Sequence, residues 1–456
     1  MRRHRGVLSP RMTSPVLRWR SHDDSNVLTS APVVEASLND LLDSGASSGP
    51  PLVSFHPLFA SELYHLHHVP HPYIHLAIAT ARDGTIGEGS STEPHRALTT
   101  SVFEVMERTF GTRYDPNVLS YAPHSALGDA AAVDPTDLVL LTDFEYRTSS
   151  ETFVRYHPDL PLHWHPGLEI VGETVSPRLL PATLAVLRFS WTHTDERFAP
   201  SLSPGLASGS DLTDALLHGV YELIERDAFA MAWLQRRVGK RLDVAALPDP
   251  ALDVSRARLS QDGYSLTFVE LTNDVEVPAV MALISRSDTM HLAIGLGANV
   301  SIAHAAARAY AEALENMTNF YDFTNPVEAR VREIVVPDRD FEPARYRAQC
   351  EFLLGTSRHR AAVTSADSDR VDARDALRRC LDALRRFGSR VFFVDLTPPG
   401  LHGQPYRLVR VLATGLQPHL YEWDSWRLAN RRLPDDVEKL NLAPNPFAVL
   451  EHAQID

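Results

Sequence analysis

The sequence is poor in several features that mark common protein classes. It has two cysteines in 456 residues, Cys350 and Cys380, which excludes a disulfide framework or a cysteine metal cluster and favours a reducing compartment. No apolar stretch approaches the ~20 residues of a membrane helix. The basic N-terminus lacks the apolar run of a secretory signal. We therefore expect a soluble, cytoplasmic protein.

Positive charge is also in deficit. The chain carries 44 Lys and Arg against 58 Asp and Glu, a formal net charge of -14. Nucleic acids and anionic membranes attract surplus positive charge, so we expect neither as a partner. The sequence has no G-x-x-x-x-G-K-[ST] loop and no G-x-G-x-x-G after a strand. An anionic ligand must therefore be neutralised locally, by a few arginines or by metal ions.

The pattern of apolar residues predicts an α/β or α+β protein. We expect a weakly ordered N-terminal segment over residues 1–50, which ends in a Ser/Gly/Pro linker, a folded domain over 51–430 and a C-terminal tail over 431–456. Strands are predicted at Tyr73–Ala81, Leu138–Phe144, Tyr264–Thr272, Pro278–Ser285, Met290–Gly297, Arg390–Thr397 and Tyr406–Thr414. Helices are predicted at Ala97–Phe110, Leu212–Arg236, Ser301–Phe320, Arg345–Leu354 and Ala373–Phe387, with Cys380 on the apolar face of the last.

Two of these helices carry the same motif, E-x-x-E-R, in apolar surroundings. This is the only internal echo in the sequence, and its two copies are 118 residues apart. Residues three apart share a helix face, so each motif pairs two carboxylates. A buried carboxylate without a partner is costly and tends to be protonated. The residues are Glu104, Glu107 and Arg108 in the first copy and Glu222, Glu225 and Arg226 in the second.

Two interpretations of these acids stay open on the residues alone. One is a pair of buried Glu–Arg ion-pair networks. The other is a divalent cation, which takes oxygen ligands and, as Mg2+, shares phosphate oxygens with a nucleotide. A third helix carries Arg308, Glu312 and Glu315 behind the glycine-rich stretch G-L-G-A-N-V-S. Arg308 and Glu312 form either an ordinary salt bridge on a solvated helix face or part of a site that a ligand approaches closely.

Histidines and serines give weaker signals. The stretches Y-H-L-H-H-V-P-H-P-Y-I-H (64–75) and L-H-W-H-P-G (162–167) are interpreted as His-rich surface loops, with a zinc site as the less favoured alternative. Ser90, Ser91 and Ser208 lie in glycine-rich loops without a G-x-S-x-G frame, which speaks against a serine nucleophile.

Four segments together resemble the YcaO superfamily, in family order and over roughly Ile74 to Tyr421. They are G-E-G-S-S-T-E-P-H-R-A-L-T-T-S-V-F-E-V-M-E-R, S-P-G-L-A-S-G-S-D-L-T-D-A-L-L-H-G-V-Y-E-L-I-E-R-D-A-F, G-L-G-A-N-V-S-I-A-H-A-A-A-R-A-Y-A-E-A-L-E-N and V-D-L-T-P-P-G-L-H-G-Q-P-Y-R-L-V-R-V-L-A-T-G-L-Q-P-H-L-Y-E. The resemblance implies a YcaO fold of mixed sheets and helices, with ATP-binding motifs near 87–108, 203–227 and 295–317. Its ATP site would have no Walker motif and would form where glutamate-bearing helices converge.

The same resemblance implies roles for individual residues. It makes Glu225 and Arg226 catalytic and assigns Mg2+ to Glu104, Glu107, Glu222 and Glu225. The ATP-binding residues that it implies are Thr100, Arg108, Arg226, Arg308, Glu312 and Glu315.

The chain departs from the family pattern around this set. Glu88 stands where the family has lysine, Pro204 where it has asparagine, and Glu315 and Met317 where it has glutamine and arginine. Two functions are therefore kept. The first is ATP- and Mg2+-dependent activation of a backbone amide in a ribosomal precursor peptide, giving an azoline, an amidine or a thioamide, with a separate protein to deliver the peptide. The second is a catalytically weak scaffold or partner subunit. Homodimerisation stays open.

Overall fold

The computed structural model describes residues 36–37, 57–148, 153–190, 196–286, 292–321, 351–356, 363, 371–419 and 426–442. Helices α1 to α9 span Pro57–Glu62, Pro94–Gly111, His124–Leu127, Glu145–Thr148, Ala182–Ala185, Leu212–Leu234, Pro250–Gln261, Ile302–Tyr321 and Ala373–Phe387. Strands β1 to β14 span Ala36–Ser37, Leu63–Pro70, His75–Ala81, Ile86–Ser91, Ser120–Pro123, Pro161–Val171, Thr174–Pro181, Leu206–Gly209, Lys240–Leu242, Tyr264–Glu270, Ala279–Arg286, Leu292–Ala298, Val391–Asp395 and Arg407–Ala413.

The strands form three antiparallel sheets. The largest has the order β1-β7-β6-β13-β14-β8, with β5 also paired to β6. A second sheet has the order β12-β11-β10-β9, and a third has the order β2-β3-β4. Helices cover these sheets, so the predicted α/β (α+β) class is confirmed. No helix in the described ranges is long and apolar enough to cross a membrane.

The largest sheet lies between two apolar layers. Side chains alternate along its strands, so Phe392 and Leu408 pack on one side with α2, while Phe393 and Val409 pack on the other with α6 and α9. Cys380 lies fully buried in the second layer, which confirms a core thiol. Layers on both faces fix α2 and α6 relative to one another, and these are the helices that carry E-x-x-E-R.

Two parts of the fold share one local arrangement. The first hairpin–helix unit consists of β3, β4 and α2, and the second consists of β11, β12 and α8. Residues with the same place in the two units are 208 positions apart, as Glu104 is from Glu312. The motif E-x-x-E-R is shared by α2 and α6, whereas the hairpin–helix arrangement is shared by α2 and α8.

Glycines let strand and helix backbones touch in both units. A Cβ on Gly87 would lie closer than 3.0 Å to Ser101 O and Val105 N, and one on Gly295 would meet their counterparts, Ala309 O and Ala313 N, equally closely. Such a separation leaves no room for a side chain. Each helix is therefore held directly over the backbone of its strand.

Most predicted elements are confirmed to within a few residues, but the strand at Leu138–Phe144 is wrong. The chain there forms a 3-10 turn, Pro135–Leu138, and the short helix α4. The guanidinium of Arg427 donates to the carbonyls of Leu138 and Val139, and Glu145 accepts from Thr142 N at 2.8 Å. These side chains take the backbone groups that a sheet ladder would use.

The prediction that the two His-rich stretches are surface loops is also wrong. The first forms the edge strand β2, on which Tyr64, His65, Leu66 and His67 are exposed. The second lies in β6, where Trp164 is fully buried. Of the predicted helix Arg345–Leu354, residues 345–350 lie outside the described residues, and Glu351–Leu354 is a 3-10 turn. Residues 1–35, 38–50 and 443–456 lie outside them too, so the proposed domain boundaries stay predictions.

Candidate functional site

In each hairpin–helix unit a glutamate from the helix accepts a hydrogen bond from the strand below it. Glu104 Oε2 accepts from the backbone N–H of Glu88 at 2.6 Å. Glu312 Oε2 accepts from the N–H of Leu296, the residue that corresponds to Glu88. Each donor lies between the two glycines of a G-x-G strand, where the helix approaches closely. The backbone therefore fixes the direction of both carboxylates.

A second residue completes the same arrangement. Arg108 follows Glu104 by four residues, binds Glu104 Oε1 at 2.7 Å and donates to the carbonyl of Ile86 at 2.8 Å. Asn316 follows Glu312 by four residues and donates to the carbonyl of Ile294 at 2.7 Å. The contact to the strand carbonyl is therefore kept, but the positive charge is present in the first unit only.

The strand β8 and its preceding loop hold two further glutamates. Glu107 accepts from Ser208 N at 2.8 Å, and Glu222 on α6 accepts from Gly205 N at 2.9 Å. Gly205 has φ +86, and a Cβ there would collide with the carbonyl of Val411. Glycine is needed to turn this N–H towards Glu222. The Asp211 side chain caps α6 by accepting from Asp214 N at 2.9 Å.

The two E-x-x-E-R helices bring their acids together. Burial, followed by the charges of Glu222 and Glu104, raises the pKa of Glu107 to about 8. Carboxylates whose charges raise the pKa of a neighbouring acid in this way lie close to it, in surroundings with little water. Glu104, Glu107 and Glu222 thus form one group, which holds three of the four acids that were expected to converge.

Glu315 extends this group towards α8. Desolvation, followed by the charges of Glu88 and Glu104, raises the pKa of Glu315 well above the usual range. A hydrogen bond with Ser90 acts in the opposite direction. Glu315 corresponds to Glu107 in the structural repeat, so both units place a second, strongly perturbed acid one turn after the first.

Arg226 joins α6 to α8. Its Nη2 donates to Glu312 Oε1 at 3.4 Å, and its Nε lies 3.8 Å from Glu225 Oε1. Glu225 and Arg226 are both buried. The expected acids of α6 therefore divide: Glu222 meets the acids of α2, whereas Glu225 meets Arg226 and, through it, Glu312.

Thr100 and Arg308 occupy corresponding positions at the exposed edge of the two units. The Thr100 Cβ and the Arg308 Cβ stand over Gly89 and Gly297, respectively. Desolvation, followed by the charge of Arg308, lowers the pKa of His218 on α6. A hydroxyl and a cation thus stand at the exposed rim of the two units, whereas the acids are half-buried or buried.

The chemistry of these donors fits divalent cations. Carboxylates with raised pKa values gain a compensating charge when a cation displaces their protons. Oxygen ligands are what Mg2+ takes, and it usually keeps waters and shares phosphate oxygens with a nucleotide. The three arginines Arg108, Arg226 and Arg308 add positive charge around the acids. The arrangement can hold a metal ion and the phosphates bound to it.

Sequence reasoning missed two groups behind Arg226. Asp227 is fully buried and accepts from Gln417 N, Asn273 and Arg432. His419 lines a cavity with Arg226, and burial, followed by the charge of Arg226, lowers its pKa well below the usual range. The signal for Asp227 was available, because an aspartate directly follows E-x-x-E-R in the second copy alone.

Comparison with known proteins identifies the family. The sequence model described as "YcaO cyclodehydratase, ATP- and Mg2+-binding" matches residues 88–417. This chain belongs to the YcaO family. It carries the family's ATP- and Mg2+-binding domain.

A curated relative and two solved structures extend the comparison. An uncharacterised protein in the tfuA 3' region of Rhizobium leguminosarum bv. trifolii is 33% identical over 211 residues, 41% of this chain and 48% of the relative. A heterocyclase in complex with substrate and cofactor aligns at a TM-score of 0.68 and 20% identity, over 84% of this chain and 55% of that one. YcaO from Methanopyrus kandleri, bound with AMPPCP and Mg2+, aligns at 0.59 and 19%, over 78% and 87%.

The matches cover only part of some of these proteins. This chain spans about half the length of the first relative and of the heterocyclase. The likeness to the solved structures shows the YcaO fold, which the sequence resemblance predicted.

Proposed function

We propose that this protein uses ATP and Mg2+ to activate a backbone amide of a ribosomally made precursor peptide. The observation that carries the proposal is the group formed by Glu104, Glu107 and Glu222, in which burial, followed by repulsion from the other two carboxylates, raises the pKa of Glu107 to about 8.

Within this proposal the residues take separate tasks. Glu104, Glu107, Glu222 and Glu225 hold Mg2+, with Glu315 as a further acid at the same site. Arg226 and Arg308 bind phosphate oxygens, and Arg108 keeps Glu104 in place. Thr100 offers a hydroxyl at the rim, and Glu312 orients Arg226 through the 3.4 Å contact.

The reaction needs a nucleophile from the peptide or from a co-substrate. It adds to the amide carbonyl, the oxygen of the adduct takes the γ-phosphoryl group, and phosphate then leaves with that oxygen. Mg-ATP supplies the phosphoryl group and makes the oxygen a leaving group. Glu225 and Arg226 contribute by fixing charge where it develops, as positioned groups do in other phosphoryl transfers. The product is an azoline, an amidine or a thioamide, according to the nucleophile.

One observation favours a second function, a scaffold subunit with weak catalysis. Glu88 is buried, and its charge raises the pKa of Glu315. At this position a phosphate-binding lysine would add positive charge, whereas Glu88 adds repulsion towards ATP. A subunit of this kind would bind peptide or support an active partner.

The test combines the purified chain with a candidate precursor peptide from its gene neighbourhood and with the neighbouring gene product as delivery protein. The location of the Rhizobium relative's gene beside tfuA makes such a neighbour the first choice. We expect peptide-dependent release of phosphate and a change in peptide mass. Loss of one water indicates an azoline or amidine, and exchange of oxygen for sulfur indicates a thioamide.

Glu225→Gln and Glu438→Gln make a matched pair for this test, because Glu438 is an exposed acid of the C-terminal segment. The first should lower phosphate release by about 10²-fold or more, the cost of removing one stabilising group, and the second should leave it unchanged. A wild-type protein that changes no peptide and hydrolyses no ATP with its neighbours present would favour the scaffold.

A further inference from the structure

A second group of metal-ligating side chains lies outside the carboxylate site. His124, Asp129 and Asp134 each place one ligand atom within 4.8 Å of the others. They belong to the segment between β5 and the 3-10 turn Pro135–Leu138, on which no residue proposed to bind ATP or Mg2+ is found.

His124 is the buried member of the group. Its side chain is 6% exposed and packs beside the ring of Trp164, with 6.0 Å between the ring centroids. Its Nε2 lies 3.5 Å from Asp129 Oδ1 and makes no hydrogen bond with any residue that the structure describes. A buried ring nitrogen is costly without a partner, and this one is directed at the two carboxylates.

Of the two carboxylates, Asp134 is held by hydrogen bonds and Asp129 is accessible to solvent. Asp134 Oδ1 accepts from Thr136 N at 2.9 Å, which fixes the orientation of Asp134. The Asp129 side chain is 86% exposed, so an ion can enter from solvent. The buried Tyr156 hydroxyl has no hydrogen-bond partner within the described ranges. Burial and then the charges of Asp134 and Asp129 raise the pKa of this hydroxyl.

We propose that His124, Asp129 and Asp134 bind a divalent transition-metal ion, and that Zn2+ suits this donor set best. One imidazole nitrogen and two carboxylate oxygens are ligands that Zn2+ takes in tetrahedral sites, with a fourth position left for water. The imidazole separates this site from the carboxylate group, because Mg2+ prefers oxygen ligands alone.

The ion would brace a segment that leads to the proposed active site. The carbonyl of Asp137 accepts from Gly415 N at 3.0 Å, and Leu138 lines the cavity beside Arg226. A metal ion on this segment therefore stabilises one wall of that cavity. This is a structural role, and it does not depend on the proposed reaction.

Cobalt provides a direct probe of the site. The full chain is stripped of metal, supplied with excess Mg2+ to occupy the carboxylate site, and titrated with Co2+ while its visible absorption is recorded. We expect saturation at a single equivalent, with the intense bands of a tetrahedral site and displacement by Zn2+. Asp129→Ala should weaken Co2+ binding by about tenfold or more and abolish the rise in melting temperature that Zn2+ produces. Because Asp129 is exposed, this variant should fold.

Two control variants address other histidines. His95 lies 3.4 Å from Glu93 in an exposed pair without a third ligand, and His67 is exposed on β2. His95→Gln and His67→Gln should bind Co2+ like the wild type. The proposal is overturned if Asp129→Ala binds Co2+ as well as the wild type does, or if either control abolishes the bands. The first result would make His124–Asp129 an ordinary ion pair.

Discussion

The first and second hairpin–helix units have the same backbone arrangement but opposite electrostatic character. In both, a helix glutamate accepts from the N–H at the centre of a G-x-G strand, as Glu104 does from Glu88 and Glu312 from Leu296. The side chain at that central position is an acid in the first unit and a leucine in the second. At the rim, the first unit has Thr100 and the second has the cation Arg308.

This difference separates two tasks that one symmetric site would have to share. The shared hydrogen bonds hold carboxylates in fixed directions, which is a structural requirement in both units. The differing side chains place surplus acid beside the first unit and the cation Arg308 beside the second. We therefore expect metal ions nearer to α2 and phosphate oxygens nearer to Arg226 and Arg308.

Removing the second acid of each unit should have the largest effect. Glu107→Gln and Glu315→Gln should each lower peptide-dependent ATP hydrolysis by about 10²-fold. Their melting temperatures should be kept or raised, since an amide relieves the repulsion among the acids. Rate and melting temperature are measured on the same samples. Destabilisation by roughly 3–5 kcal/mol without a separate effect on rate would instead indicate a buried ion pair.

The shared backbone contact can be broken in either unit. Gly87→Ala and Gly295→Ala should each destabilise the protein by about 1–3 kcal/mol, because the added methyl meets helix backbone that cannot move aside. Gly400→Ala is the control, since its Cβ would meet nothing nearer than 3.9 Å. Urea denaturation gives the free energies of unfolding. If only one of the two substitutions greatly lowers the free energy of unfolding, the two units do not contribute equally to stability.

The position that differs most can be exchanged. Glu88→Lys should tighten ATP binding by about tenfold, or ~1.4 kcal/mol, because it removes repulsion and adds a cation beside Glu315. Glu88→Gln should give part of this gain, since it only removes the charge. Calorimetric titration with Mg-ATP measures both variants. If neither changes the affinity, position 88 does not face the phosphates.

The pH dependence of the metal-free protein should show a smaller effect. Glu107 has a pKa raised to about 8 in the folded state, whereas the ordinary value for glutamate, which applies to the unfolded state, is 4.5. Between these two values the folded state keeps a proton that the unfolded state has lost. Its contribution to stability is complete below that lower value and is lost as pH rises through about 8. Chemical denaturation from pH 5 to 8 should therefore show falling stability, with a flatter profile in Glu107→Gln. An equally steep profile in that variant would assign the titration to another group.

The sequence allowed much of the fold to be predicted, for physical reasons. Helices α2 and α8 have an apolar face with helical spacing, and α6 is apolar on most sides. Their glutamates stand out because acids are rare among apolar residues. The family resemblance then predicted the fold and the cofactors. The prediction of local secondary structure failed at Leu138–Phe144. This stretch is rich in residues that favour strands, but Arg427, far along the chain, donates to the carbonyls of Leu138 and Val139.

Other features could not be found from spacing alone. The two units are alike in the hydrogen bonds that a helix glutamate accepts from a strand backbone N–H. The residues that donate these bonds, Glu88 and Leu296, have unrelated side chains, so the sequence does not show the repeat. Asp227 and His419 gain their significance from segments brought together by the fold, such as Gln417 beside α6. The proposed metal-binding group His124, Asp129 and Asp134 has no recognisable ligand spacing either.

A structure with AMPPCP and Mn2+ bound tests the central claim most directly, because anomalous scattering locates the metal. We predict Mn2+ peaks at coordination distance, about 2.0–2.3 Å, from carboxylate oxygens of Glu104, Glu107 or Glu222, with the phosphates directed towards Arg226 and Arg308. Nucleotide bound elsewhere, or Mn2+ peaks remote from all of these carboxylates, would contradict the account.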